Sequence, residues 1–124
     1  MATITPKQKK ELYGLIHAIL ALRDGDKCLR CGKPDWQMSH IYPKGRYKRM
    51  EFEYENIKSL CFSCHICFWH KSPIEAHEWL QTVIPKERLQ RLKLMANTYM
   101  GKLDFKLHKL YLEKELAKFS KLKK

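Results

Sequence analysis

Apolar residues recur at helical spacing near the start of the chain, at Leu12, Leu15, Ile16, Ile19 and Leu20. The preceding Thr5-Pro6-Lys7-Gln8 offers a capping hydroxyl, a proline at the first helical position and a glutamine three residues after the cap. Gly25 is a typical helix terminator. The pattern predicts one helix within residues 1–25 that covers part of the core.

The middle of the chain has two shorter apolar runs. Residues 26–35 read as a polar turn, and 36–42 as a short strand that Pro43 ends. Residues 44–55 are charged and aromatic without a clear period, which predicts a loop. Residues 57–60 predict a second strand.

Helical signals dominate the rest of the chain. We expect helices over residues 64–71, from a Ser72-Pro73-Ile74-Glu75 capping box through Leu80, from Pro85 to about Asn97, and from Asp104 to about Lys121. The predicted fold class is α+β. It comprises an N-terminal helix (1–25), a core (26–72) and a basic helical extension (73–124) within one compact domain.

The charge of the chain indicates a polyanionic partner. The 124 residues include 25 Lys and Arg against 13 Asp and Glu, a formal net charge of +12. Such a balance favours nucleic acid. No apolar run approaches the roughly 20 residues that cross a bilayer, so no membrane partner is expected. The first residues lack a secretion signal, and we expect a cytoplasmic protein.

Four of the five cysteines form two pairs, Cys28-x2-Cys31 and Cys61-x2-Cys64. Five is odd, and a cytoplasmic compartment is reducing, so disulfides are not expected. Two such knuckles complete a tetrahedral zinc shell that has no open position for water, and we expect a structural Zn²⁺. The alternative is four buried free thiols. Cys67 is expected to pack against the same core.

Three segments around these pairs carry a resemblance to a known family. They are Ser39-His40-Ile41-Tyr42-Pro43, Glu55-Asn56-Ile57-Lys58-Ser59-Leu60 and Cys61-Phe62-Ser63-Cys64-His65. In this order they resemble the HNH, or ββα-metal, nuclease motif, and most closely the NinG (Rap) recombination nucleases of phage lambda. The resemblance implies a zinc-stapled ββα-metal core flanked by an N-terminal helix and C-terminal helices. It also implies a phage-encoded, divalent-metal-dependent DNA endonuclease that acts on branched or single-stranded recombination intermediates.

The resemblance implies a role for each motif residue. His40 becomes the general base, and imidazole has a pKa suited to activating water near neutral pH. Asn56 holds the loop and orients the base. His65 becomes a ligand of a catalytic Mg²⁺ or Mn²⁺, which would stabilise charge on the phosphate and the leaving oxygen.

One position departs from the familiar motif. The residue before the base is usually an Asp or His ligand, and here it is Ser39, a poor ligand. His70 is a further candidate, but five positions after His65 rotate it by about 140° on an ideal helix, so a break in the helix would be required. Other candidates to complete the ligand set are Asp35, Glu53 and Glu55.

A basic and aromatic loop follows the base and is expected to contact DNA through Lys44, Arg46, Tyr47, Lys48 and Arg49. Between Lys102 and Lys124, eight lysines and three acids predict a surface helix that binds a second DNA arm or pairs in a homodimer. Three alternatives stay open at this stage: a non-catalytic zinc module that binds nucleic acid, a site-specific HNH nuclease, and a structural adaptor.

Overall fold

The first helix, α1, spans Pro6–Asp24 and confirms the predicted N-terminal helix. Thr5 Oγ1 accepts a hydrogen bond from the Gln8 amide at 3.1 Å, and Gln8 Oε1 accepts one from the Thr5 amide at 3.0 Å. Gly25 ends the helix in the left-handed region at φ 80°. The structure, a computed structural model, describes residues 4–122.

A two-stranded antiparallel sheet follows, formed by β1 (Gln37–His40) and β2 (Ile57–Leu60). In its register His40 pairs with Ile57, and Ser39 pairs with Lys58. β1 is shorter than predicted because the backbone bonding stops after Ile41: the Ile41 amide still bonds the Asn56 carbonyl in register, but the Tyr42 amide bonds the Asn56 side chain. The predicted loop contains two short 3₁₀ turns, at Lys48–Met50 and Tyr54–Asn56.

Four helical segments complete the chain. A π-helix spans Ser63–Trp69, and it is followed by α2 (Pro73–Val83), α3 (Lys86–Ala96) and α4 (Phe105–Leu122). The predicted capping box before α2 is wrong, because the side chain of Ser72 makes no cap hydrogen bond. Pro73 at the first turn is already set for a helix by its fixed φ.

The α+β fold class is confirmed, with two separate apolar cores. The larger core lies where α1 packs against α4 and β2, and it contains Leu12, Ile16, Ile19, Leu20, Phe52, Tyr54, Ile57 and Leu112. The smaller one consists of Leu60 and three of the paired cysteines, covered by Trp69 and Trp79. Among residues 4–122, no helix is both long and apolar enough to span a membrane.

Candidate active site and metal centre

The four paired cysteines come together in one cluster. The sulfur atoms of Cys28, Cys31, Cys61 and Cys64 all lie within 4.8 Å of one another, and those of Cys31 and Cys61 are 3.5 Å apart. A tetrahedron of thiolates at about 2.3 Å from Zn²⁺ has sulfur–sulfur edges of about 3.8 Å. The cluster can therefore hold a metal ion such as zinc. In the part of the chain that the structure describes, no other group of three or more His, Cys, Asp or Glu side chains converges in this way.

The thiols of this cluster differ in how easily they ionise. Burial raises the pKa of Cys28, but backbone N–H groups of Cys31, Cys61 and Arg30 outweigh it and lower the pKa to about 6. Burial raises the pKa of Cys64 to about 12, although Arg30 donates to its sulfur at 3.5 Å. Four adjacent thiolates need a strong positive charge between them, which a divalent ion supplies.

The cluster joins three parts of the fold. Cys28 and Cys31 lie in the turn after α1, where Gly32 has a φ of 82°. Cys61 directly follows β2, and Cys64 lies at the start of the π-helix. Cys67 is exposed, so the expectation that it packs on this core is wrong. The cluster thus brings the turn after α1 against the end of β2 and the start of the π-helix.

The π-helix places His65 and His70 on one face. The His70 amide donates to the His65 carbonyl at 3.1 Å, a hydrogen bond between residues five apart, and the two rings lie 4.8 Å apart between centroids. The predicted misalignment assumed an ideal α-helix, in which residues four apart are bonded. The π-helix is the break in regular helix that the pairing of these two histidines requires.

Each of the two motif histidines has one nitrogen held by an acceptor. His40 Nε2 lies 2.9 Å from the Glu51 carbonyl, which only accepts, so Nε2 carries the proton and Nδ1 holds the lone pair. His65 Nδ1 likewise lies 2.9 Å from Gln37 Oε1, which leaves Nε2 available as a ligand. Burial lowers the pKa of both imidazoles, which favours their neutral forms.

His40, His65 and His70 line the same cavity of about 640 Å³. The cavity is bounded by the end of β1, the π-helix and the start of the basic loop; its other lining residues are Tyr13, Met38, Ile41, Pro43, Lys44, Gly45 and Trp69. None of these lining residues is acidic. The arrangement offers imidazole nitrogens with free lone pairs beside one lysine.

Asn56 holds the basic loop closed at its base. Its Oδ1 accepts from the Tyr42 amide at 2.8 Å, and its Nδ2 donates to the carbonyls of Tyr42 at 3.0 Å and Met50 at 3.2 Å. The side chain is fully buried, so these bonds satisfy groups that water cannot reach. Asn56 therefore fixes the path of the loop that carries the Glu51 carbonyl to His40.

Ser39 is held by a contact within the sheet. It is fully buried, and its Oγ accepts a hydrogen bond from Lys58 Nζ at 3.0 Å. Lys58 is itself fully buried, and its amine lies 3.3 Å from the centroid of the Trp69 ring. Burial lowers the pKa of Lys58 to about 6. A hydroxyl engaged by an amine is poorly placed to bind a metal ion, so this contact does not favour Ser39 as a ligand.

The sequence contained one signal for Lys58, a lysine inside an apolar strand, but nothing in the pattern indicated Gln37, Tyr13 or Trp69. The acidic candidates lie elsewhere: Glu53 accepts from Tyr111 at 2.8 Å, Glu55 pairs with Arg91, and Asp35 lines another cavity.

The loop residues predicted to contact DNA divide into two groups. Lys44 lines the histidine cavity, and it also lines a neighbouring cavity together with Lys48 and Arg49. Arg46 instead lies 5.4 Å from the Tyr47 ring centroid, and Tyr47 packs edge-on against Tyr42. The second group thus stabilises the loop itself.

Comparison with known proteins assigns no family to this chain. No family model, no curated protein and no solved structure matches the chain.

Proposed function

We propose that this protein is a metal-dependent DNA endonuclease of the HNH kind. The observation that carries the proposal is that His40, His65 and His70 line one cavity together with Lys44. The order of two short strands, a cysteine knuckle and a helix supports it, since this is the order that the sequence resemblance implies. The net charge of +12 favours a nucleic-acid substrate.

In this proposal the four cysteines hold a structural Zn²⁺. A shell of four thiolates has no position for water, so its part is to fix β2 and the π-helix relative to each other. The small core around the cluster consists of Leu60 and three of the cysteines, with Trp69 and Trp79 packed against it, so it contains few apolar side chains of its own. Binding of zinc would contribute directly to folding.

His40 accepts, at Nδ1, a proton from a water molecule whose oxygen bonds to phosphorus. The bond from phosphorus to the leaving oxygen breaks, and that oxygen takes a proton from solvent water. The Glu51 carbonyl keeps the His40 ring oriented and in one tautomer. Lys44 attracts the phosphate to the cavity. A second divalent ion bound by His65 and His70 would act as a Lewis acid on the phosphate oxygens.

The donor set of this second site bears on which ion it takes. Two imidazoles and no carboxylate fit a first-row transition ion better than Mg²⁺, which prefers oxygen ligands. We therefore expect activity with Mn²⁺ or Ni²⁺ to exceed activity with Mg²⁺.

The test is cleavage of single-stranded, flapped and four-way DNA by zinc-loaded protein, with each divalent ion added in turn. His40→Ala should abolish cleavage and leave binding intact. His17→Ala is the matched control, because His17 stacks on Trp36 at 4.4 Å and does not line the cavity. It should cut like the wild type.

A non-catalytic module that binds nucleic acid is the second candidate. The observation that favours it is the lack of any carboxylate among the lining residues of the histidine cavity. Wild-type protein that binds DNA and cuts none of the three substrates with any ion would establish the module and refute the endonuclease.

A further inference from the structure

A second cavity, of about 680 Å³, adjoins the histidine cavity. We call it the basic groove, because five cationic side chains line it: Lys9, Lys44, Lys48, Arg49 and Lys102. They come from three separate parts of the chain, namely α1, the loop after β1 and the segment before α4. Folding has thus gathered cations that the sequence keeps far apart.

The basic groove is continuous with the candidate active site. Lys44 and Gly45 line both cavities, so a ligand that leaves the histidines passes directly into the groove. At its other end, Arg49 and Lys102 also line a third cavity, of about 410 Å³, beside α4. The three cavities form one path across the surface.

The cationic side chains of the basic groove are not neutralised by acidic side chains of the described residues. None of its five cations forms an ion pair inside residues 4–122, whereas Arg23 and Arg91 do. Arg49 Nε is buried and has no hydrogen-bond partner among those residues. A buried polar nitrogen without a partner is costly, and a shift of the Arg49 side chain that let a bound anion reach it would remove that cost.

One acidic residue lines the groove, and its carboxylate already accepts a hydrogen bond from another side chain. Glu51 lines it, but the Glu51 carboxylate accepts a hydrogen bond from the Tyr13 hydroxyl at 2.6 Å. Five cations against one acid leave a clear positive excess. Such an excess is complementary to a polyanion and not to a neutral peptide.

The apolar lining of the groove favours a single strand over a duplex. Ile4 and Leu103, both partly exposed, line the groove beside the buried Phe52 and the cations. A single strand exposes base faces that can lie on an apolar surface while its phosphates meet the cations. A duplex hides those faces by stacking, and it would leave these side chains uncovered.

We propose that the basic groove binds a single-stranded nucleic-acid segment and leads it to the histidine cavity. This inference rests on the proposed function for the fate of the strand, but binding itself does not require cleavage. Lys9 and Lys102 are then substrate-binding residues outside the loop after β1.

The experiment measures binding without catalysis. Zinc-loaded His40→Ala protein, with no added divalent ion, is titrated into a labelled single-stranded oligonucleotide and into a duplex of the same sequence, over a range of salt concentrations. The same titrations are made with Lys9→Gln/Lys102→Gln added. The control is Lys86→Gln, an exposed lysine on α3 that lines none of these cavities.

We expect the double substitution to weaken single-strand binding and to reduce the slope of log affinity against log salt by about 1.4, since each phosphate that a lysine neutralises on a single strand adds about 0.7 to that slope. Duplex binding and the Lys86→Gln control should change little. An unchanged single-strand slope, or an equal weakening for the duplex, would overturn the proposal.

Cleavage assays on proteins with an intact His40 distinguish failure of the groove proposal from failure of the proposed endonuclease activity. Loss of single-strand binding in the double variant, with no cleavage by the wild type, would retain the groove and refute the endonuclease. Normal cleavage with unchanged binding would refute the groove alone.

Discussion

The two ring nitrogens of His40 have different surroundings, and this difference bears on its chemistry. Nε2 is fixed by the Glu51 carbonyl, while Nδ1 is left with its lone pair. Burial lowers the pKa of the ring, the carbonyl partly opposes that shift, and the nearby charge of Lys44 lowers the pKa further. His40 is therefore neutral at neutral pH, the form that a general base needs.

A pH–rate profile tests whether neutral His40 acts as the general base. Because the base must be neutral, activity should be lost as pH falls through a pKa below the ordinary 6.5, and kcat/KM measured against pH should place the acid limb there. Lys44→Gln should move the limb upward towards 6.5, since it removes a charge that opposes protonation. An acid limb above 6.5, or one that Lys44→Gln leaves unmoved, would contradict the role of His40.

Lys58 predicts a second pH dependence, of stability. Its pKa is lowered by burial from 10.5 to about 6, so between these values the unfolded chain binds a proton that the folded chain does not. Stability of the wild type relative to Lys58→Met should therefore rise with pH in this window, by up to about 1.4 kcal/mol per pH unit. Urea unfolding at about pH 6.5 and about pH 8.5, with zinc held constant, measures this rise.

The control for this measurement is Lys86→Met, an exposed substitution that should show no such trend. A difference between wild type and Lys58→Met that stays constant over the same pH range would mean that Lys58 keeps its proton in the fold. The amine over Trp69 would then be a buried ammonium.

Among the elements, the π-helix has the clearest consequence for the site. Hydrogen bonds between residues five apart insert one extra residue into a turn, and here that turn carries His65 and His70. Elements of this kind are often found at functional sites. The exposed Cys67 lies within the turn and is not needed by either core.

Deletion of Cys67 should therefore be tolerated. With one residue removed, the segment can form ordinary α-helical bonds, and the two histidines become four apart, still on one face. We expect the variant to bind one zinc per chain and to unfold within a few degrees of the wild type in a thermal scan. Deletion of Gly14, inside α1, is the contrasting case. It rotates the following apolar residues out of the core. The variant should therefore fail to fold, and its thermal scan should show no cooperative unfolding transition.

Sequence patterns predicted the elements better than the contacts between them. The limits of α1 followed from its caps, and both strands were located by apolar runs between turn residues. Periodicity assumes a regular helix, so it could not predict the π-helix that pairs His70 with His65. Nor could it predict the contact of Lys58 with Ser39, which depends on strand register.

At the scale of the molecule, α1, β2 and α4 form one apolar core, while the cysteine cluster forms another with few apolar partners. The turn after α1, the end of β2 and the π-helix meet at the smaller core, and of these three the π-helix lines the histidine cavity, with His65, Trp69 and His70. A metal ion in the cluster would thus hold the π-helix and its two histidines against the rest of the fold.

Alkylation of thiols tests this dependence directly. The chain has five cysteines. If zinc is bound by four of them, a thiol reagent should modify one site per chain in the native protein, and mapping should assign it to the exposed Cys67. Addition of a strong chelator should release one zinc per chain and raise the count to five, while far-ultraviolet circular dichroism retains the helical signal of α1 and α4. Modification of the exposed Cys31 in untreated protein at the rate of Cys67 would show that the cluster holds no metal, because coordination to zinc lowers the reactivity of a thiolate even where the sulfur is exposed.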